Sequence, residues 1–210
     1  MPEIRNYKRD SFSLDYIVDF PADFDKSKKY PLLFYIHGPG SVGKSMEYFT
    51  QNCAVRREFI GEGLPLILVA PKGDWNCWIE VFQDLMAFMD FMRNLEYIDQ
   101  NRVYLSGTSM GGYTGWMLAF ARNDWFAAGV ICCGGGLYWG ARFMTGFPIM
   151  AVHGALDTTV LPRESEIMAE RINAAGGNVQ LVLHPDLAHN VWTRTFSNPE
   201  TYRWLLSHSR

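Results

Sequence analysis

The chain has 210 residues, which is about one domain at the usual size of roughly 150 residues, and 48% of its residues are hydrophobic while 20% are charged. This composition supplies a core and excludes an intrinsically disordered protein. The 19 lysines and arginines against 22 aspartates and glutamates give a net charge of −3, which argues against the basic surface of a nucleic-acid-binding protein.

Cysteine usage and the first residues bear on the compartment. The four cysteines have neither CxxC pairing nor zinc spacing, so we expect reduced thiols; they are Cys53, Cys77, Cys132 and Cys133. Residues 1–10 lack the apolar segment of a signal peptide, and no apolar run approaches the roughly 20 residues of a membrane span. We expect a cytoplasmic protein without a membrane partner, although a secreted form whose leader was removed stays open. Nothing in the sequence predicts its oligomeric state.

Strand and helix patterns alternate along the chain. Predicted strands cover 12–20, 31–37, 64–70, 101–106, 127–133, 147–153 and 179–184, and predicted helices cover 46–60, 81–95, 110–122, 162–175 and 199–207. The runs PLLFYIH and LPLILVA are typical of strands buried on both faces of a parallel sheet. The alternation predicts one α/β domain over 1–210, with a mostly parallel sheet of about seven or eight strands and helices on both faces. Such folds bind ligands at the carboxyl ends of the strands.

A phosphate-loop pattern follows the strand at 31–37. Gly38–Ser45 matches G-x-x-x-x-G-K-[ST] in full. A nucleotide-binding loop also needs a second apolar strand that ends in aspartate to hold Mg²⁺, and the later strands end in Ala-Pro-Lys, Ser-Gly-Thr, Cys-Cys-Gly and His-Gly-Ala. Nucleotide binding is therefore the less favoured interpretation, kept as the alternative from a different functional class.

A second motif follows the strand at 101–106. Gly107-Thr-Ser109-Met-Gly111 matches the nucleophile elbow G-x-S-x-G, in which a serine on a tight strand-to-helix turn projects its Oγ into the site. The glycines relieve crowding, and the helix amino terminus places an N–H beside the developing oxyanion. This fold needs an acid and then a histidine downstream. Asp157 and His189 follow two later strands in that order.

The sequence resembles the esterase group of α/β-hydrolases that includes predicted peptidases, feruloyl and acetylxylan esterases and dienelactone-hydrolase-like proteins. The resemblance covers about 15–206 and is carried by 29–38, 101–113, 153–157, 188–192 and 198–206. It implies the α/β-hydrolase fold, no cofactor, no metal, and hydrolysis of carboxylic esters through an acyl-enzyme. The short stretch 134–146 leaves room for little or no cap, which favours small or extended esters. A serine peptidase with the same triad is the alternative enzyme.

Three residues are assigned to catalysis. Ser109 is the expected nucleophile, His189 the general base, and Asp157 the acid that orients the imidazole. His184 and Asp186 are the less favoured rivals, since His184 ends a strand and Asp186 lies only three residues before His189. His37 and His153 each precede a glycine at a strand end and are expected to brace the loops below the site.

The oxyanion hole needs two N–H donors. Met110, the residue after the nucleophile, is expected to supply one. The residue that follows His-Gly usually supplies the other, but here it is Pro39, which has no N–H. We therefore expect Gly40 as the donor, with Gly38 or Ser41 as alternatives.

Aromatic side chains after strand ends indicate where substrate binds. Trp75, Trp78, Trp192 and Tyr113 are the expected substrate-binding residues, suited to an apolar or sugar-stacking pocket. The alternative is that these side chains pack beneath the loops. The expected partner is a small-molecule ester.

Overall fold

One eight-stranded sheet organises residues 2–55 and 64–210, which the computed structural model describes. Its strand order is β1-β2-β4-β3-β5-β6-β7-β8. β1 and β2 are antiparallel to each other, β2 is antiparallel to β4, and the remaining neighbours are parallel. The strands are β1 (Glu3–Arg9), β2 (Phe12–Asp19), β3 (Tyr30–Ile36), β4 (Ile67–Lys72), β5 (Ile98–Thr108), β6 (Ala128–Cys132), β7 (Ile149–Gly154) and β8 (Val179–His184). The predicted α/β class with a mostly parallel sheet is confirmed.

Helices cover both faces of the sheet. In the described residues they are α1 (Met46–Asn52), α2 (Phe82–Arg93), α3 (Met110–Ala121), α4 (Arg163–Ala174), α5 (Trp192–Ser197) and α6 (Pro199–Leu206). One core cluster joins α2, α3 and α4 to the sheet, and the other joins α1, α5 and α6. In the same residues, short 3₁₀ helices occupy Pro39–Ser41, Trp78–Val81 and Tyr138–Phe143. Between β6 and β7 only residues 133–148 intervene, so this connection is too short for a folded cap.

The apolar runs form the centre of the sheet. All seven residues of β3 and all six of β4 are buried, because helices cover both of their faces. Phe34 on β3 is fully buried, and its truncation to alanine would cost about 3–5 kcal/mol of stability. The central strands therefore form a rigid base below the loops at their carboxyl ends. No helix of the described residues combines the length and apolar character needed to cross a membrane.

Several elements differ from the sequence prediction. The sequence pattern does not predict β1, because most of its side chains are exposed and polar; it pairs along its whole length with β2 and packs Tyr7 against Phe88. The pattern does not predict α5 either. The helix predicted over 46–60 ends at Asn52, with Cys53 as its C-cap, and the part of that prediction on 56–60 lies outside the described residues.

Candidate active site

A strained turn between β5 and α3 carries Ser109. Its backbone has φ 55° and ψ −118°, a conformation that costs a non-glycine residue on the order of 1–3 kcal/mol and persists only where the surroundings enforce it. The Ser109 N–H donates to the Cys132 carbonyl (3.0 Å), and the Ser109 carbonyl accepts from the Tyr113 N–H (3.0 Å). These two bonds anchor the turn to β6 and α3, so the hydroxyl projects from the sheet edge.

Two glycines make this turn possible. A Cβ on Gly107 would overlap the Gly111 carbonyl, and a Cβ on Gly111 would overlap the Ile36 carbonyl at the end of β3. Both obstacles are backbone atoms, which cannot move aside as a side chain can. The glycines of the motif therefore allow α3 to begin directly against β3 and β5.

Ser109, His189 and Asp157 form a continuous hydrogen-bonded chain. His189 Nε2 lies 2.9 Å from Ser109 Oγ, and His189 Nδ1 lies 2.7 Å from Asp157 Oδ2. An ionised carboxylate only accepts hydrogen bonds, so the imidazole hydrogen is on Nδ1. His189 Nε2 is left to accept from the serine hydroxyl. The structure thus brings together three residues separated by 80 and 32 positions along the chain.

Asp157 is held as an anion. It is only 2% exposed, and its Oδ1 accepts from the backbone N–H groups of Thr159 (2.8 Å) and Val160 (3.0 Å). Burial opposes its ionisation, but the hydrogen bonds from His189 and from these two N–H groups outweigh burial and keep the pKa of Asp157 below its usual value. The carboxylate is therefore available to orient His189 at neutral pH.

The rival acid and base lie elsewhere. Asp186 makes a bidentate ion pair with Arg194 (2.9 and 2.7 Å) on an exposed surface, and this guanidinium lowers the pKa of Asp186 to about 2. His184 ends β8 and lines a separate cavity of about 570 Å³ with Arg194. Neither residue contacts Ser109 or His189 through a side-chain hydrogen bond.

The loop after β3 lies beside the serine. Gly38, Gly40 and Ser41 line the same cavity as Ser109, and a Cβ on Gly38 would lie 3.4 Å from Ser109 Cβ. Met110 begins α3, in the first turn whose N–H groups lack intrahelical acceptors. Met110 and Gly40 remain our predictions for the oxyanion donors.

His37 ties this loop to the loop after β4. It is 2% exposed, and its Nε2 accepts from the Gly73 N–H (2.9 Å). The hydrogen is therefore on Nδ1, which donates to the Gly38 carbonyl (2.7 Å). Burial lowers the pKa of His37 to about 4, so the ring is neutral at pH 7. The expectation that His37 braces loops below the site is confirmed.

The cavity at Ser109 has a volume of about 420 Å³ and contains one of the expected aromatic residues. Trp192 lines it and meets the His189 ring edge-on at 5.6 Å. Tyr113 lines a second depression of about 280 Å³, together with Ile79, Leu137 and Glu164.

The other two tryptophans do not face the cavity. The prediction for Trp78 is wrong: the side chain is 1% exposed, and its Nε1 donates to the His37 carbonyl (3.0 Å) beneath the loop. Trp75 stacks on Phe12 at 5.4 Å and lines neither depression. Trp78 belongs to a core cluster, and Trp75 packs against that cluster.

Several residues that line the cavity were not predicted from the sequence. Tyr48 and Asn52 of α1 and Asn190 beside His189 are among them. These three residues belong to no motif, so only their position along the chain could have indicated that they line the cavity. Helix α1 follows the loop at Gly38, and Asn190 follows the predicted base.

The phosphate-loop segment adopts a different geometry. The Gly43 N–H donates to Asp74 Oδ1 (3.0 Å), and Asp74 also pairs with Lys72. Ser45 Oγ accepts from the Tyr48 N–H and caps α1, while Lys44 Nζ lies over the Tyr48 ring. A carboxylate already occupies an N–H that a phosphate would need, which argues against nucleotide binding. Within 2–55 and 64–210, no group of three or more histidine, cysteine or acidic side chains is placed to hold a metal ion.

Comparison with known proteins gives an independent view of this arrangement. Residues 73–135, which span the elbow, match the model of the prolyl oligopeptidase family. The chain is 24% identical to dipeptidyl-peptidase 5 of Porphyromonas gingivalis over 82% of its own length but only 32% of that protein. The crystal structure of a thermostable esterase superposes with a TM-score of 0.85 and 26% identity, covering 100% of this chain and 63% of that one. Est1E from Butyrivibrio proteoclasticus superposes with a TM-score of 0.75 and 18% identity, covering 97% and 99%.

The chain has the α/β-hydrolase fold. Its resemblance to the esterases and peptidases of this fold, inferred from the elbow and the later acid and histidine, is confirmed. The chain spans about a third of the length of the dipeptidyl-peptidase that it matches, so the likeness extends to only that part of the peptidase.

Proposed function

We propose that this α/β-hydrolase is a serine carboxylesterase that cleaves small or extended carboxylic esters through an acyl-enzyme. The observation that carries the proposal is the chain of hydrogen bonds Ser109–His189–Asp157, whose serine end opens into a solvent-accessible cavity. Hydroxyl, base and carboxylate at hydrogen-bonding distance meet the geometric requirement for an activated serine nucleophile.

In the acylation step, Ser109 Oγ forms a bond to the ester carbonyl carbon while its proton passes to His189 Nε2. The carbonyl oxygen becomes an oxyanion, which the N–H groups of Met110 and Gly40 would stabilise. Asp157 stabilises the imidazolium that forms and keeps its Nδ1–H in place. The C–O bond to the alcohol then breaks, and His189 returns the proton to the departing alkoxide.

Water completes the cycle. It attacks the acyl carbonyl while His189 Nε2 accepts its proton. Ser109 leaves with that proton, and the carboxylic acid is released. The cavity is open enough for water to reach this position without movement of a cap, which suits hydrolysis.

The share of each related protein that this chain covers favours esters over peptides as substrates. This chain covers 63% of the thermostable esterase and 99% of Est1E, against 32% of the dipeptidyl-peptidase. An ester also needs less protonation of its leaving group than an amide does, so the proposed machinery suffices. A serine peptidase is the second candidate, favoured by the match of the elbow region to the prolyl oligopeptidase family.

The choice is tested by comparing kcat/KM for p-nitrophenyl acetate and butyrate, an acetylated sugar and a feruloyl ester with peptide anilides. We expect turnover of at least one ester class and little turnover of the anilides, with both absent in Ser109→Ala. Higher kcat/KM for the anilides would replace the esterase by the peptidase.

The nucleophile is tested by covalent labelling. An activated serine reacts with a fluorophosphonate, so we expect one adduct by intact mass, located on Ser109 by peptide mapping. Ser109→Ala should lose the adduct, while Ser106→Ala removes a buried neighbouring hydroxyl on β5 and should keep it. An adduct on another residue would refute the assignment.

A further inference from the structure

A second imidazole lies against the acid of the proposed triad. His153 on β7 is fully buried, and its Nε2 lies 3.2 Å from Asp157 Oδ2. The same oxygen accepts from His189 Nδ1 at 2.7 Å. Asp157 Oδ2 therefore lies between two histidine rings, and the mechanism above uses only one of them.

The hydrogen-bond partners of His153 place a hydrogen on its Nε2. Its Nε2 is also 3.0 Å from the Val160 carbonyl oxygen, and a carbonyl can only accept. His153 Nε2 must therefore carry a hydrogen, which the Val160 carbonyl accepts, and Asp157 Oδ2 lies 3.2 Å from the same nitrogen. The backbone of Val160 contacts both residues, because its carbonyl accepts from His153 and its N–H donates to Asp157 Oδ1 (3.0 Å).

The ring of His153 is held on its other side as well. Its Nδ1 lies 2.8 Å from Ser165 Oγ on α4, and that hydroxyl lies 2.8 Å from the Gly134 carbonyl after β6. Ser165 is itself fully buried. The imidazole is thus fixed by contacts to α4 and, through Ser165, to β6, so it cannot turn away from Asp157.

We propose that His153 is a positioning residue, whose Nε2–H beside Asp157 Oδ2 directs that oxygen at His189 and weakens its attraction for the His189 proton. This inference rests on the proposed function. With the His153 donor removed, Asp157 Oδ2 would carry more of the carboxylate charge. His189 would then hold its proton to higher pH, and the oxygen would lose its fixed direction.

The other titratable groups near Asp157 do not interfere with this effect. Tyr113 on α3 and Cys133 after β6 are the side chains that sense the Asp157 charge. Burial is the main cause that raises the pKa of both, so both remain neutral in the range of an esterase assay. Glu164, next to Ser165 on α4, lies near Tyr113. Among the described side chains, His189 hydrogen-bonds to Asp157 and His153 lies at ion-pair distance from it.

The experiment compares two substitutions of similar size. His153→Gln keeps an N–H donor close to the position of Nε2, and His153→Leu removes it. We expect His153→Leu to lower kcat by on the order of 10²-fold, the effect of a small misplacement in an active site, with KM nearly unchanged. The acidic limb of its kcat/KM profile should also move to higher pH. His153→Gln should restore most of kcat and the wild-type limb, and Ser165→Ala should change both less than His153→Leu does.

Two measurements keep the test decisive. Thermal unfolding shows whether each variant folds. If His153→Leu does not fold, ¹⁵N-histidine spectra of the wild type, with signals assigned through His153→Gln, should find a hydrogen on His153 Nε2. A hydrogen on Nδ1 alone would overturn the proposal. So would a folded His153→Leu with unchanged kcat and limb, or a folded His153→Gln as impaired as His153→Leu.

The failure of the proposed function gives a different pattern. In that case the wild type would neither turn over the esters nor be labelled at Ser109. The histidine spectra would still report the contact between His153 and Asp157, since they do not depend on activity.

Discussion

Asp157 and Asp186 show how surroundings decide what a carboxylate does. Asp157 is buried and accepts from His189 and two backbone N–H groups. Asp186 is exposed and paired with Arg194. An exposed ion pair contributes little to stability and leaves Asp186 turned toward the guanidinium. Of the two, only Asp157 can set the tautomer of His189.

Asp157→Asn should therefore lower kcat by on the order of 10⁴-fold, because the amide favours the wrong tautomer of the base. Asp186→Asn is the matched control and should stay within a few-fold of the wild type. Steady-state kinetics on an ester substrate measures both. A severe loss in Asp186→Asn, with Asp157→Asn active, would mean that the acid has been assigned to the wrong loop.

The elbow between β5 and α3 is the element that positions Ser109. Its strain is maintained because β3, β5 and α3 meet there at backbone distance, which Gly107 and Gly111 permit. The motif is therefore a packing requirement as well as a chemical one. A side chain at Gly111 would have to separate α3 from β3.

Gly111→Ala should accordingly lower the free energy of unfolding by about 1–3 kcal/mol, the usual effect of overpacking, and slow fluorophosphonate labelling of Ser109. Gly40→Ala is the control for stability, since no heavy atom lies within 4 Å of a Cβ built there. Urea unfolding measures the stability of both variants. Equal free energies of unfolding for the two would contradict the steric account of the elbow.

At the scale of the whole molecule, burial of a neutral imidazole couples folding to pH. His37 joins the loops after β3 and β4, and its pKa falls from 6.5 to about 4 because it is buried. Between these two values the unfolded chain binds more protons than the folded one. The contribution of His37 to stability is therefore fully present above about pH 6.5 and is lost as the pH falls toward 4.

Protonation of His37 should thus lower the free energy of unfolding by about 3 kcal/mol between pH 6.5 and 4. Each tenfold change in proton affinity corresponds to about 1.36 kcal/mol. His37→Gln should flatten this dependence, although it will also lower stability at pH 7. His208→Gln, at the end of the chain, should leave the slope unchanged. Urea unfolding at a series of pH values measures the pH dependence of stability in the wild type and both variants. If His37→Gln had the same pH dependence as the wild type, the prediction would be contradicted.

The sequence by itself determined the features that depend on local pattern. Runs of apolar residues predicted the buried strands β3 and β4, because a parallel strand covered on both faces has no polar side. The G-x-S-x-G motif predicted the turn at Ser109, because only glycine fits on either side of it. The order of Ser109, Asp157 and His189 at strand ends predicted their meeting, because parallel strands end at one edge of a sheet.

The tertiary structure alone decided what depends on contacts between distant segments. β1 has no apolar alternation and exists through its pairing with β2. Trp78 lies buried because its ring packs in the core and its Nε1–H donates to the His37 carbonyl. Asp74 accepts from the Gly43 N–H, and His153 lies against Asp157. No sequence motif contains either pair. Such contacts follow from how the elements pack in three dimensions, where a few tenths of an ångström decide between a hydrogen bond and none, and no periodicity in the chain encodes that distance.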